Sequence, residues 1–209
     1  MPLTRILSLA LALMALQPVE QAMATEQVPY VVEQTLGEDV EIRRYDPSIV
    51  AETLIERGDY RDAGNEGFRR LADYIFGNNR TRARIAMTAP VAMAPQSERI
   101  AMTAPVDASA VAGGWRMAFY MPAGYTLETL PLPVDERVQL RAVPGRRVAA
   151  LRFSGRGTEA QFAEHTAELL TTLVGAGLSP VGQPWTARYN APWVLPPLRR
   201  NEAMVELAP

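Results

Sequence analysis

The side chains that most often carry out covalent chemistry are scarce in this sequence. It contains no cysteine and a single histidine, His165, so an imidazole-activated nucleophile has one candidate base. The sequence has no glycine-rich phosphate loop and no HExxH motif. Its carboxylates are spread over predicted turns and helix faces, where solvated surface residues are typical. These patterns favour a protein that binds a molecule over an enzyme.

The single histidine lies at the edge of a predicted apolar helix face. His165 lies three residues after Phe162 and four before Leu169, so it borders the apolar stripe of a predicted helix. A lone histidine at such a place is more often a partly buried, hydrogen-bonded residue than a metal ligand. Five methionines near the predicted strands are likewise expected to fill the core rather than to ligate a metal: Met87, Met93, Met102, Met117 and Met121.

Length and charge favour a single domain without a nucleic-acid partner. The chain has 209 residues, of which 48% are hydrophobic and 21% charged, and its net charge is −2. These values are typical of one globular domain. All 21 basic residues are arginine, but they are scattered and create no basic field that would attract nucleic acid.

Residues 1–24 have the pattern of a secretory signal peptide. Arg5 precedes an apolar run from Ile6 to Leu16, about half the ~20 residues that a membrane-spanning helix needs. The sequence Ala22-Met23-Ala24 matches a small-x-small cleavage site. An uncleaved anchor is the less favoured alternative. We therefore expect a mature domain, residues 25–209, that is periplasmic or secreted and has no stable membrane anchor after cleavage.

Two halves of the chain repeat one order of elements. In each half a strand, a short turn and a second strand precede a helix. Val50-Ala51 in the first half corresponds to Val148-Ala149 in the second at a spacing of 98 residues. Asp59 is the predicted N-cap of the first helix, and Thr158 with Gln161 forms a predicted capping box for the second. The predicted strands are 28–35, 40–45, 48–57, 84–91, 99–106, 115–121, 137–143, 146–153, 185–190 and 202–207.

Neither half has enough sheet to bury an apolar face alone, so we expect both to close around one core. The predicted fold is α+β, a pseudo-twofold, distorted antiparallel β-barrel of about eight strands flanked by two α-helices.

One eight-residue phrase, RIAMTAPV, occurs twice, at 84–91 and 99–106. Its apolar residues alternate as in a β-strand. The seven residues between the copies include a proline and three polar residues, which favours an antiparallel hairpin with a long loop. Pro90 and Pro105 lack the N–H of a central strand and indicate an edge, a bulge or a strand end.

IAMTAPV after a helix that ends in YIFGNN resembles the signature of the SOUL family of haem-binding proteins. Three further segments resemble the family in the same order: VEIRRYDP, GFRRLADYIFGNN and ARYNAPWVLPPLRRNEAMVEL. The resemblance covers residues 28–209. It implies the same barrel with two flanking helices, and it implies haem as the ligand.

The resemblance also points to a binding face. In one family member the proposed axial histidine precedes the tyrosine of the VEIRRYDP motif, but this chain has Arg44 there, and arginine cannot ligate iron. For members without that histidine, the proposed haem site is an apolar groove along the first helix. Carried onto this chain, the groove face is Phe68, Leu71, Ala72 and Ile75.

Arg69, Arg82 or Arg84 would pair with the haem propionates. The four groove residues are equally the natural stripe by which this helix packs on the sheet.

The leading hypothesis is therefore an exported, non-enzymatic protein that binds haem or another tetrapyrrole weakly, mainly by hydrophobic contact, with no assigned axial ligand or metal site. A periplasmic sensor or interaction module for small hydrophobic ligands is the main alternative, because the SOUL barrel resembles the effector-binding domains of bacterial transcription regulators. An enzyme acting on a lipid or tetrapyrrole is the third.

Overall fold

The computed structural model describes residues 26–56, 58–81 and 97–208. The predicted signal peptide and the first copy of RIAMTAPV lie outside these residues, as do Arg82, Arg84, Met87 and Met93. The predicted pairing of the two RIAMTAPV copies therefore also falls outside them.

The described chain contains two α-helices, α1 (Tyr60–Ile75) and α2 (Glu159–Gly175), and a short 3-10 helix, Pro196–Leu198. Its strands are β1 (Glu26–Gln27), β2 (Tyr30–Leu36), β3 (Val40–Tyr45), β4 (Ser48–Ile55), β5 (Asn79–Arg80), β6 (Thr103–Ala104), β7 (Val106–Val111), β8 (Gly114–Tyr120), β9 (Leu132–Pro133), β10 (Val138–Val143), β11 (Arg146–Phe153), β12 (Pro180–Arg188) and β13 (Asn201–Leu207).

Both helices begin at their predicted caps. The Asp59 carboxylate accepts hydrogen bonds from the amides of Arg61 and Asp62, at 2.9 and 2.8 Å. Thr158 and Gln161 form the predicted capping box of α2. Among the helices of the described residues, none is long and apolar enough to cross a membrane.

Nine strands form one antiparallel sheet in the order β10-β4-β8-β7-β12-β13-β11-β3-β2. Exchanging β3 with β10, β4 with β11, β7 with β12 and β8 with β13 gives the order of the first eight strands read from the opposite end. The strand order is therefore symmetric about the boundary between β7 and β12. The expected closure into a barrel is not seen in this order, since β10 and β2 are its two edges within the described chain.

The two halves are joined by one continuous ladder. Ser48 lies opposite Val143 and Tyr45 lies opposite Arg146, so β4 with β10 and β3 with β11 share one register across the intervening turns. Gly145 lies at this crossing, where an added Cβ would be 3.1 Å from the carbonyl oxygen of Tyr45. The close approach of the two bent strands therefore favours glycine at this position.

The helices pack on one face of the sheet over different strands. α1 covers β4 and β8 and buries Leu71 against Phe119. α2 covers β11 and β13 and buries Leu169 against Val205. Since side chains alternate along a strand, the opposite face of the sheet carries separate, smaller apolar clusters. We call it the helix-free face.

The second copy of RIAMTAPV differs from the prediction. Residues 99–102 form no strand, Thr103–Ala104 pair in parallel with Glu26–Gln27, and Val106 begins β7. The amide of Ile100 donates to the carbonyl oxygen of Ile75 at 2.8 Å, and the Ile100 side chain is buried in the cluster beneath α1. The strand prediction is wrong for 99–102 because this segment packs at the end of α1 instead.

Leu71 and Leu169 occupy equivalent places in the two halves, and both are fully buried. Replacing either by alanine should lower the free energy of unfolding by about 2–5 kcal/mol through lost burial and an unfilled cavity. The two leucines belong to different core clusters, so the costs should add within about 0.5 kcal/mol in the double variant. Urea unfolding followed by circular dichroism measures all three. A double variant no less stable than either single one would show that the halves do not form one cooperative unit.

Candidate functional site

The predicted groove residues occupy two environments on α1. Leu71 and Ile75 are completely or almost completely buried against the sheet, and Ala72 is 8% exposed. Phe68 is 37% exposed, and its ring meets Phe119 edge to face, with centroids 5.3 Å apart. The structure thus places Leu71 and Ile75 in the core under the helix, and Phe68 at the surface.

A residue absent from the predicted set extends this surface. Phe76 follows Ala72 by four residues and is 53% exposed, so Phe68, Ala72 and Phe76 lie in one row along the helix. At a rise of about 1.5 Å per residue, the two phenylalanines are ~12 Å apart along the axis. We call these three residues the α1 strip. The spacing of four residues from Ala72 could have identified Phe76 from the sequence. The sequence prediction used Phe76 only as the end of the helix.

Guanidinium groups flank the α1 strip. The Arg99 guanidinium lies 5.9 Å from the centre of the Phe76 ring. Arg69 follows Phe68 in the sequence, is exposed, and donates to the carbonyl oxygen of Asn65 at 3.3 Å. Both groups are of the kind that pairs with carboxylates.

The structure places His165 away from this strip and Arg44 in a surface contact. His165 lies on α2, with Nδ1 3.1 Å from a Glu168 carboxylate oxygen and its ring stacked 4.1 Å from that of Phe153. Arg44 forms an exposed ion pair with Glu33 at 3.3 Å. Within the described ranges, no cluster of three His, Cys, Asp or Glu side chains could hold a metal ion.

A charged network is buried in the helix-free face. Arg43 donates two hydrogen bonds to the Glu202 carboxylate, at 2.7 and 2.9 Å, and the two residues are 2% and 0% exposed. Tyr189 and Arg200 donate to the same carboxylate, each at 2.8 Å. Burial acts to raise the pKa of Glu202, but Arg43, Arg200 and Tyr189 together lower it. Because the Glu202 carboxylate already accepts hydrogen bonds from Arg43, Tyr189 and Arg200, we assign this network a structural role.

A cavity of about 450 Å³ opens beside this network. Its walls include Asp107 on β7, Tyr120 on β8, Arg146 on β11 and Trp185 on β12. The Tyr120 hydroxyl donates to Asp107 Oδ2 at 2.8 Å and accepts from Arg146 at 3.0 Å. The Arg146 guanidinium also lies 4.5 Å from the centre of the Trp185 ring.

Two buried polar atoms of the cavity wall have no hydrogen-bond partner among the described residues. Neither Asp107 Oδ1 nor Trp185 Nε1 has a partner within the described part of the chain, and both atoms are buried. Burial raises the pKa of the Asp107 carboxyl to about 7. The Tyr120 hydroxyl, the Arg146 charge and the nearby indole N–H of Trp185 oppose this rise without cancelling it.

The family model of the SOUL heme-binding proteins matches residues 25–206. This chain belongs to the SOUL family. Heme-binding protein 1 of Xenopus laevis is 25% identical to it over 166 residues, which are 79% of this chain and 82% of that protein.

Two solved structures share the fold of this SOUL domain. The EcmrR C-terminal domain has a TM-score of 0.56 at 8% identity and covers 81% of this chain and 96% of its own. An uncharacterized conserved protein from Listeria innocua has a TM-score of 0.52 at 9% identity, covering 81% and 92%. At such identities the likeness concerns the fold alone. The expectation of an α+β fold with two helices and a large antiparallel sheet is thereby confirmed.

The titration of Asp107 should appear in the stability of this SOUL domain. Its folded pKa of about 7 lies above the ordinary value of 3.8, so its stabilising contribution is full below about pH 4 and is lost as the pH rises to 7. The loss is up to about 4 kcal/mol. Asp107→Asn should remove this slope and gain stability relative to the parent between pH 4 and 8, measured by urea unfolding.

The matched control is Asp135, which hydrogen-bonds to Arg137 and has its pKa lowered to about 2. Asp135→Asn should change the pH dependence in the opposite sense and only in the acid range. If the free energy of unfolding of the parent and of Asp107→Asn changed in parallel from pH 4 to 8, the raised pKa of Asp107 would be contradicted.

Proposed function

We propose that this SOUL protein binds haem or a related tetrapyrrole at the α1 strip and catalyses no reaction. The observation that carries the proposal is the pair of exposed rings, Phe68 and Phe76, on one helix face with the small Ala72 between them. A flat macrocycle can lie across both rings, because Ala72, which is 8% exposed, does not project between them. Leu71 and Ile75 support this surface from beneath, but both are buried, so these two residues of the predicted groove do not contact the ligand.

The expected affinity follows from the type of contact. Apolar surface removed from water contributes about 25 cal/mol per Å² before the costs of ordering are subtracted. Arg69 and Arg99 are the described side chains best suited to propionate carboxylates. Because no motif places an axial ligand, we expect micromolar dissociation or weaker, no more than about 8 kcal/mol of net affinity. His165 has no part in this binding.

The second candidate is a sensor or interaction module for a small molecule, and the cavity on the helix-free face favours it. Asp107 Oδ1 and the N–H of Trp185, which lack partners among the described residues, suit a ligand that carries one donor and one acceptor. The ladder shared by β3–β4 and β10–β11 also supports the expected barrel, since the bent strands would bring its two ends together around this cavity.

Export remains part of the proposal. The signal peptide, residues 1–24, would be removed after Ala24, and the mature chain would begin at Thr25 in the periplasm or outside the cell. N-terminal sequencing of periplasmic protein should give Thr25 as the first residue. Recovery of periplasmic protein that retains Met1 would refute cleavage.

Titration with hemin, followed by its Soret absorbance, tests the binding site. Phe68→Ala combined with Phe76→Ala should weaken binding by about tenfold or more, because the variant removes the two rings that cover the macrocycle. Both side chains are partly exposed, so the loss of stability should be smaller than for a buried residue. Circular dichroism on the same samples verifies the fold.

Three variants serve as controls. Trp193→Ala with Leu198→Ala removes comparably exposed apolar side chains elsewhere and should leave the affinity unchanged, as should His165→Ala. Trp185→Phe alters the cavity while keeping an aromatic ring. A loss of binding in Trp185→Phe, with full binding in the double phenylalanine variant, would move the ligand to the cavity and support the second candidate. A Soret band abolished by His165→Ala would instead place the iron on α2.

A further inference from the structure

A loop at residues 190–199 exposes three large apolar side chains. Trp193 is 83% exposed, Leu195 66% and Leu198 72%. Single exposed apolar residues are common in soluble proteins, but contiguous groups of large ones mark interaction surfaces. We call residues 190–199 the Trp193 loop.

The loop is held in a defined conformation. The Arg199 side chain donates from Nε to the carbonyl oxygen of Val194 at 2.7 Å and from its terminal nitrogen to that of Pro192 at 2.5 Å. The Leu198 amide donates to Leu195 at 2.9 Å, and the Gly155 amide donates to Pro196 at 2.9 Å. The exposed side chains are therefore presented on a braced backbone, which lowers the entropic cost of binding.

The two segments that meet at the base of the loop carry a net positive charge, whereas Glu159 and Glu202 lie directly beyond them and the whole chain has a net charge of −2. Residues 152–158 and 189–201, joined by the Gly155–Pro196 hydrogen bond, contain four arginines and no aspartate or glutamate. Arg200 is engaged by Glu202. Arg152 and Arg156 are exposed and form no ion pair within the described ranges. An apolar tip beside free guanidinium groups is thus complementary to an anionic, partly apolar surface.

We propose that the Trp193 loop binds reversibly to the surface of an anionic lipid bilayer. Trp193, Leu195 and Leu198 enter the headgroup region, where an indole has both apolar contact and a partner for its N–H. Arg152 and Arg156 lie near the lipid phosphates, and each basic residue close to such a surface strengthens binding by about fivefold. Three side chains at one loop produce a peripheral contact, weaker than any transmembrane anchor.

Sedimentation with vesicles tests the proposal. The parent should bind vesicles of equal parts phosphatidylglycerol and phosphatidylcholine, bind phosphatidylcholine alone poorly, and be released at high salt. Trp193→Ala with Leu195→Ala and Leu198→Ala should weaken binding about tenfold or more. Arg152→Gln with Arg156→Gln should weaken binding to the anionic vesicles only. All five positions are exposed, so these variants should fold.

Tryptophan emission gives a second readout. Trp115 and Trp185 are partly or wholly buried, so a blue shift on adding vesicles should come from Trp193. Trp193→Phe should lose the shift and keep most of the binding. Absence of vesicle binding by the parent, or equal binding by the triple apolar variant, would overturn the proposal. So would a parent that is dimeric without lipid and becomes monomeric in the triple variant, which would identify a second copy of the chain as the partner.

Discussion

The buried pair of Arg43 and Glu202 ties the C-terminal strand to the N-terminal part of the sheet. Two charges removed from water are costly unless both are fully paired, and here the carboxylate receives four hydrogen bonds. Two of these come from Tyr189 and Arg200, which bracket the Trp193 loop and are joined through their backbones at 3.2 Å. The pair therefore fixes the course of β13 and also both ends of the loop. Loss of one partner would leave the other charge buried and unpaired.

The symmetric strand order does not make the two helices equivalent in their chemistry. At the spacing of 98 residues, Phe68, Ala72 and Phe76 correspond to Thr166, Leu170 and Val174 on α2. Beneath the helices the correspondence is close, with Leu71 matching Leu169 and Ile75 matching Leu173. Packing requirements preserve the inner faces, whereas the outer faces differ. The two phenylalanines of the α1 strip therefore have no aromatic counterpart at the matching positions of α2.

The sequence predicted the elements whose signals are local. Both N-caps, the two helices and the strands of the bent ladder follow from periodicity and capping residues at short range. The alternating pattern of the second RIAMTAPV was misleading because Ile100 is buried by the end of α1 and not by a sheet. Arg43 and Glu202 are 159 residues apart, and the burial of Asp107 depends on four strands. No local pattern reveals such contacts, and so the cavity was not predicted.

Folding and binding place opposite demands on apolar side chains in this domain. The free energy of folding comes from residues such as Leu71 and Leu169, which are inaccessible to any ligand. Phe76 and Trp193 contribute little burial, and the structure supports them from behind, through α1 in one case and Arg199 in the other. Their exposure is unfavourable in water and unnecessary for folding. Exposed apolar side chains of this kind therefore indicate where a partner binds, which buried core residues do not. Substitutions there can change binding while leaving the sheet, the helices and the Arg43–Glu202 pair intact.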